Sequence, residues 1–353
     1  MDFNVPVKDG VAQDDFRIRR ALPTIKYLKQ KGAKIILITH LGKGGETLLP
    51  VATALNKLIK AKFVPNILGM EAEMAVEAMK EGDIILLENL RNDMGEKNSD
   101  SFFASSLAKF GDIYVNECFS VDHREDASIV LLPRALPRFA GFQLEDEIKH
   151  LSKAFKKPKR PFVFILGGAK FSTKMPLIQK YLKLADYVFI GGALLNDFLK
   201  AKGYQVGTSL VGEESYGIEE ILNNKKIILP SDVVVKTHGG LMTRAIDEVG
   251  GDEFILDVGP ASVKSLSLII KKSKLVLWNG PLGMYEDGGD EATKKLLKAV
   301  AKSGAYSIIG GGDTVTLVSK MKMEKKFSFV STGGGATLDF LADGNLPGIK
   351  ALR

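Results

Sequence analysis

Four basic side chains in the first half of the chain, Arg17, His40, Arg91 and Arg124, stand at the ends of apolar or helical stretches. If they converge they make a site for a small, doubly anionic molecule, because guanidinium groups match carboxylate and phosphate geometry. Singly, each suits a surface ion pair. The second half carries different material: Lys170, Lys174, Asn279, Asp313 and the glycine runs GGAK (167–170), GGGD (310–313) and GGG (333–335). Glycine lets a ligand reach the backbone, and the free N–H groups of a following helix favour anions. Close strand–helix packing selects glycine as well, yet three such runs in one half favour phosphate binding. Lys170 and Lys174 are spaced i, i+4 around Ser172 and Thr173, which are expected caps of the next helix. That spacing sets two ammonium groups on one side of a phosphate chain. Neither GxxxxGK[ST] nor GxGxxG occurs, since Val315 takes the place of the last glycine.

The elements that must position these residues follow one pattern. Short apolar, β-branched runs end in polar or glycine-rich turns: KIILITHLG (34–42), DIILLENLR (83–91) and DIYVNECF (112–119) in the first half. PFVFILGGAK (161–170), DYVFIGGALL (186–195), KIILPSDVVV (226–235), LVLWNGPLG (275–283), YSIIGGGDT (306–314) and FSFVSTGGGAT (327–337) follow. Runs without polar alternation suit parallel strands covered on both faces. LPVATALNKLIKA (49–61) and DEATKKLLKAVAKSG (290–304) have helical spacing, the second with an acidic start and a glycine stop. The expected fold is α/β, two doubly wound parallel-sheet (Rossmann-like) domains. LEDEIKHLSKAFKKPKRP (144–161) runs from acidic to basic and predicts a helix joining them. The expected division is 1–143, a joining helix at 144–160 and 161–341, with the tail 342–353 docking on the first domain. Ligands of such sheets bind beyond the carboxyl ends of the strands, where the residues above stand.

The 353 residues suit about two domains, and 45% apolar with 26% charged residues is ordinary for a globular chain. A net charge of +7 is consistent with anionic partners, but the basic cluster at 156–160 reads better as a solvated face than as a nucleic-acid site. The single cysteine, Cys118, excludes an internal disulfide framework and reads as a small buried side chain. The start MDFNVPVKDG is no leader peptide, and the apolar runs are far too short to span a bilayer. The expectation is a cytoplasmic monomer that engages neither membrane nor nucleic acid.

DFNVPV (2–7), HLG (40–42), LLENLR (86–91), HR (123–124), ILGGAK (165–170), WNGPLGMYE (278–286), IIGGGDT (308–314) and STGGGATL (331–338) together resemble phosphoglycerate kinase, in that family's order and across nearly the whole chain. The resemblance implies the phosphoglycerate kinase fold and phosphoryl transfer between 1,3-bisphosphoglycerate and ADP, giving 3-phosphoglycerate and ATP. It places the three-carbon acid on the first domain, at Asp2, Phe3, Asn4, Arg17, His40, Leu41, Gly42, Lys43, Arg91 and Arg124. It assigns the nucleotide to Lys174, Asn279, Glu286, Gly311, Gly312, Asp313 and Thr314, with Arg17, Lys170 and Lys174 acting on the transferred group. Asp313 is then the aspartate associated with Mg²⁺, which explains a carboxylate beside an anion-binding loop; it can also cap the helix that follows.

The chain departs from the family's pattern at several positions. Lys43 stands for an arginine, Glu117 for an aspartate, and GG at 191–192 has one glycine fewer. Asp122, Glu125 and Asp126 bring negative charge to the proposed anion site. Family members carry a β-strand and an arginine ahead of DFN, whereas Met1 here precedes Asp2 directly. If that strand is missing from the mature protein, low thermal stability and weakened activity are expected. These departures also set up a rival expectation, a catalytically weakened nucleotide-binding homologue.

Overall fold

The computed structural model describes residues 1–169, 174–212 and 217–353, and the chain divides into two compact units. Unit 1 comprises Met1–Lys149 with Asn345–Arg353, and unit 2 comprises His150–Gly344.

In unit 1 the long helix α1 (Phe16–Gln30) precedes five short strands: β1 (Ile35–Leu37), β2 (Lys62–Phe63), β3 (Ile84–Leu86), β4 (Tyr114–Asn116) and β5 (Arg138–Ala140). They form two parallel sheets, β1–β3–β2 and β4–β5, with Ile35 opposite Ile84 and Tyr114 opposite Arg138. Three of the apolar runs supply β1, β3 and β4. Ile18, Ala21, Leu22 and Ile25 of α1 bury against Leu37, Leu86 and Val51 in one core cluster. α2 (Met94–Lys97) and α3 (Ala127–Val130) follow β3 and β4. The tail helix Pro347–Ala351 packs in this unit, where Gly348 N donates to Asp122 O at 2.9 Å.

The segment expected to be helical over 144–160 forms α4, Phe142–Ser152. Beyond Ser152 the amides of Lys153, Ala154 and Phe155 bond three residues back instead of four, and Lys157, at a left-handed φ of 57°, with Pro158 after it rules out a return to helix. The unit division falls inside α4, after Lys149, and again after Gly344 rather than after 143 and 341. Glu117 holds its start: Thr24 Oγ1 and the amides of Gln143 and Leu144 all donate to the Glu117 carboxylate.

Unit 2 is built on six parallel strands, β6 (Phe162–Leu166), β7 (Tyr187–Ile190), β8 (Ile227–Ile228), β12 (Leu275–Asn279), β13 (Tyr306–Gly310) and β14 (Phe329–Val330), in the order β8–β7–β6–β12–β13–β14. Central β6 and β12 are buried at every residue, as unbroken apolar runs demand. The run 226–235 divides. Ile227–Ile228 joins the parallel sheet, but β9 (Asp232–Thr237) pairs antiparallel with β10 (Gly240–Ala245) and β11 (Phe254–Val258). This three-stranded antiparallel sheet is not in the sequence-based expectation. Helices α5 (Met175–Leu184), α6 (Ala193–Ala201), α7 (Glu291–Lys302) and α8 (Gly312–Lys320) follow β6, β7, β12 and β13. Among the described residues no helix is long and apolar enough to cross a membrane.

Candidate active site

In unit 1 the loops after β1, β3 and β4 meet the N-terminal segment. Arg17, on the first turn of α1, donates through Nη1 to Asp2 Oδ1 at 2.9 Å. Asp2 itself is almost wholly buried. The Asn4 side chain accepts from Gly42 N at 3.1 Å, and Arg91 Nη1 donates to Gly42 O at 2.5 Å, so one glycine ties both to the loop after β1. Asn89 fixes the same loop: its Oδ1 accepts from Leu41 N, and its Nδ2 donates to Leu41 O and Glu46 O. Gly42 needs its left-handed φ of 57°, and a Cβ there would strike the Glu46 carboxylate.

The cations are close enough to feel one another. The Arg91 guanidinium is pushed below its ordinary value, first by burial and then by the charge of Arg124. His40 is forced down to about 3, by burial first and then by Arg91, against the pull of Asp2. His40 is therefore neutral at physiological pH, an uncharged imidazole rather than the fourth cation that its residue type suggests. Arg17, Asp2, His40, Arg91 and Arg124 thus form one set. Arg124 and Lys43 are exposed, and the Lys43 carbonyl accepts from the Lys97 ammonium. Phe3 and Leu41 are core residues whose side chains anchor the loops, which leaves their backbone atoms as the groups a ligand can meet.

The acidic departures are sorted by the fold. Asp122 turns inward, accepting from Asn116 Nδ2 at 2.8 Å beside Gly348 of the tail, and burial raises it to about 7. Asp126 Oδ2 lies 3.8 Å from Arg91 Nη2 and partners it. Glu125 is exposed. Cys118 is buried, and its thiol is pushed far above the ordinary range by that burial.

In unit 2 a cleft opens beyond the carboxyl ends of the parallel strands. Gly168, Gly192, Leu195, Leu256, Glu286 and Asp313 are among its walls. The glycines there divide by role. A Cβ on Gly167 would stand 2.0 Å from Pro281 O, and one on Gly192 would stand 2.3 Å from Gly168 N. Both serve loop-on-loop packing. At Gly312, the first residue of α8, a Cβ would meet nothing within 4 Å beyond its chain neighbours and its own helix, which leaves this side of the backbone open to a ligand. Gly311, at φ 90°, is the N-cap of α8, so Asp313 is the second helical residue and not the cap. Asp313 is exposed on the cleft, while Thr314 is buried beneath it.

Asn279, at the end of β12, lies against Gly310 and Gly311. Its Nδ2 and the Thr314 Oγ1 are buried without a hydrogen-bond partner among the described residues, leaving capacity for a polar ligand at the start of α8. Lys174, the residue before α5, is buried, and its ammonium donates to Gly167 O. Lys170, Ser172 and Thr173 lie outside the described residues. Glu286 is exposed on the short turn Tyr285–Asp287 at the cleft mouth.

Sequence reasoning missed several supporting groups. Thr39 accepts from Phe3 N and donates to Met1 O. Asp257, at the end of β11, lines the cleft, accepts from the amides of Val258 and Ala292, and is raised by burial to about 6. The run FILDVG (254–259) has the same apolar-then-glycine form as the others and could have signalled it.

The family described as phosphoglycerate kinase matches residues 1–344. The curated phosphoglycerate kinase of Fervidobacterium nodosum is 42% identical over all of this chain and 94% of its own length, and that of Thermosipho africanus is 43% identical with 93% coverage. Among solved structures, phosphoglycerate kinase from Coxiella burnetii is 35% identical with a TM-score of 0.85, covering 99% of this chain and 93% of its own. The Pyrococcus horikoshii enzyme is 30% identical with a TM-score of 0.90, covering 100% and 94%. With the family's motifs in order on a matching fold along its whole length, the chain belongs to the phosphoglycerate kinase family, kinases of glycolysis.

Proposed function

We propose that the two residue sets divide the reaction between 1,3-bisphosphoglycerate and ADP: the three-carbon acid on the basic set of unit 1, the nucleotide in the cleft of unit 2. The observation that carries this reading is the Arg91 guanidinium, tied to Gly42 O through Nη1 while its Nε and Nη2 are buried without a hydrogen-bond partner among the described residues, and crowded by the charge of Arg124. Two guanidinium groups that disfavour one another gain most from a doubly anionic ligand between them. Asp2 holds Arg17, and neutral His40 contributes hydrogen bonds without adding repulsion.

The attacking oxygen is anionic in either direction, a carboxylate or a phosphate, so the chemistry requires no general base. Positioning and charge stabilisation remain. A unit charge pair at about 4 Å contributes roughly 4 kcal/mol at an effective dielectric of about 20, so several donors lower the barrier substantially. Lys174, Gly311, Gly312 and Thr314 bind the phosphates, Asn279 lines that end of the cleft, and Glu286 takes the ribose. Lys170 is assigned to the transferred group by resemblance.

Mg²⁺ fits the residues present. Among the described residues no group of three His, Cys, Asp or Glu makes a metal cage, while Asp313 offers one exposed carboxylate on the cleft. That is the donor set of an ion held by a single protein carboxylate together with phosphate oxygens and water. When bound, the ion neutralises phosphate charge. With the two ligand sets in different units, the reaction calls for closure about the 144–161 segment to bring the substrates together and exclude water.

A coupled assay with 3-phosphoglycerate, MgATP and an acyl-phosphate trap tests the whole reading. Turnover is expected, and nucleotide binding without turnover would sink it. Arg17→Ala should lower kcat by about 10³-fold, as for other cations that reach a transferred phosphoryl group. Near-normal turnover in that variant removes Arg17 from the mechanism.

A further inference from the structure

Glu96 lies on α2, outside every set described so far, yet it is buried at 3% exposure. Its carboxylate reaches across 32 residues to the start of α3, where Ser128 Oγ donates at 2.6 Å and Ser128 N at 2.9 Å. The residue at the N-cap of α3 is Asp126, the type that ordinarily caps with its own side chain, and it makes no such bond. Glu96 performs that task from outside. Asp126 is left free to turn its carboxylate toward Arg91 Nη2. Arg91 in turn grips Gly42 O on the loop that carries His40. The same start of α3 ends the turn bearing His123 and Arg124.

We propose that Glu96 is a positioning residue for the basic set: by capping α3 in place of Asp126 it releases Asp126 to orient Arg91, and so sets the affinity for the three-carbon acid. The inference rests on the reading that this set binds 3-phosphoglycerate. The groups facing Glu96 are Ser128 and Asp126 at α3 and Arg91 after β3, with Tyr114 of β4 within electrostatic reach. Burial raises Glu96 to about 6, above its ordinary value and against the Ser128 hydrogen bonds. The ionised carboxylate, which accepts from both Ser128 groups, is therefore the form present at pH 7.5.

The test is the KM for 3-phosphoglycerate of the wild type and Glu96→Gln between pH 5 and 8, with the KM for ATP measured alongside. The amide stands in for the protonated acid. The ratio of the two 3-phosphoglycerate KM values should be about fivefold at pH 7.5, the scale of one lost hydrogen bond, and fall toward one at pH 5. The KM for ATP should not change. Ser128→Ala should raise the 3-phosphoglycerate KM in the same direction.

A ratio independent of pH, or equal effects on both substrates, reduces Glu96 to a structural buried acid and overturns the inference. Arg91→Gln separates the two levels. If it raises the 3-phosphoglycerate KM while Glu96→Gln does not, only the role of Glu96 falls. If Arg91→Gln leaves that KM unchanged, the placement of the substrate falls with it.

Discussion

A buried acid without a full set of partners shows its state through pH. Asp122 has one oxygen on Asn116 and the other buried without a partner among the described residues, and burial raises it from 3.8 to about 7. A carboxyl raised in the folded state binds its proton more tightly there than in the unfolded chain. Its stabilising contribution is complete below about pH 4 and is lost as the pH rises through 7. Asp122→Asn should therefore raise the melting temperature at pH 8, by a gain of order 2–4 kcal/mol, and change little at pH 4. Equal shifts at both pH values would contradict this account. Asp313 tests the cleft instead: Asp313→Asn should weaken Mg²⁺-dependent turnover far more than it weakens binding of metal-free ADP, measured by titration calorimetry. Residue type alone announced Arg91 and Asp313 as chemical groups. It did not reveal that His40 is neutral or that Asp122 faces inward, because both follow from burial, which no single position in a sequence records.

Elements carry the next set of consequences. The apolar runs named β1, β3, β4, β6, β7, β8, β12, β13 and β14 correctly because strands covered on both faces have no polar alternation to disguise them. β10 was missed for the opposite reason: its first four residues are exposed, and GLMTRA has neither an unbroken apolar run nor β-branched alternation to mark it. β9 was read as part of a parallel run, since periodicity cannot tell which neighbour a strand will choose. The loops between elements are tight where glycine packs on glycine. Gly167→Ala would drive a Cβ to 2.0 Å from Pro281 O and displace the 281–286 segment that walls the cleft. A raised KM for nucleotide with an unchanged KM for 3-phosphoglycerate is the expected signature in steady-state kinetics. At α4, Glu117→Ala removes an acceptor from two amides and Thr24 together, and should lower stability by about 1–3 kcal/mol in denaturant titration.

At the scale of the molecule, each unit has its own core and, on the proposed reading, its own ligand set. Ligand binding should then protect each unit separately. Saturating nucleotide, at about 100 times its Kd, adds roughly 2.7 kcal/mol to the folded state it binds. In hydrogen exchange that protection should fall on β6, β12 and β13, and 3-phosphoglycerate should protect β1 and β3 instead. Uniform protection by either ligand would show that the units do not open independently. The α/β organisation was legible from the alternation of runs and helices, whereas the position of the unit boundaries inside α4 and after Gly344 was not, because boundaries depend on which contacts each segment finally makes.

Lys174 enters this picture already engaged. Its ammonium is buried and donates to the Gly167 carbonyl, so an arriving phosphate does not meet a bare charge waiting in water. An ammonium carries three N–H donors, so the carbonyl can keep one while the others turn to a phosphate. On the proposed reading, the Gly167 contact holds the charge in place before the nucleotide arrives and leaves less ordering for binding to do.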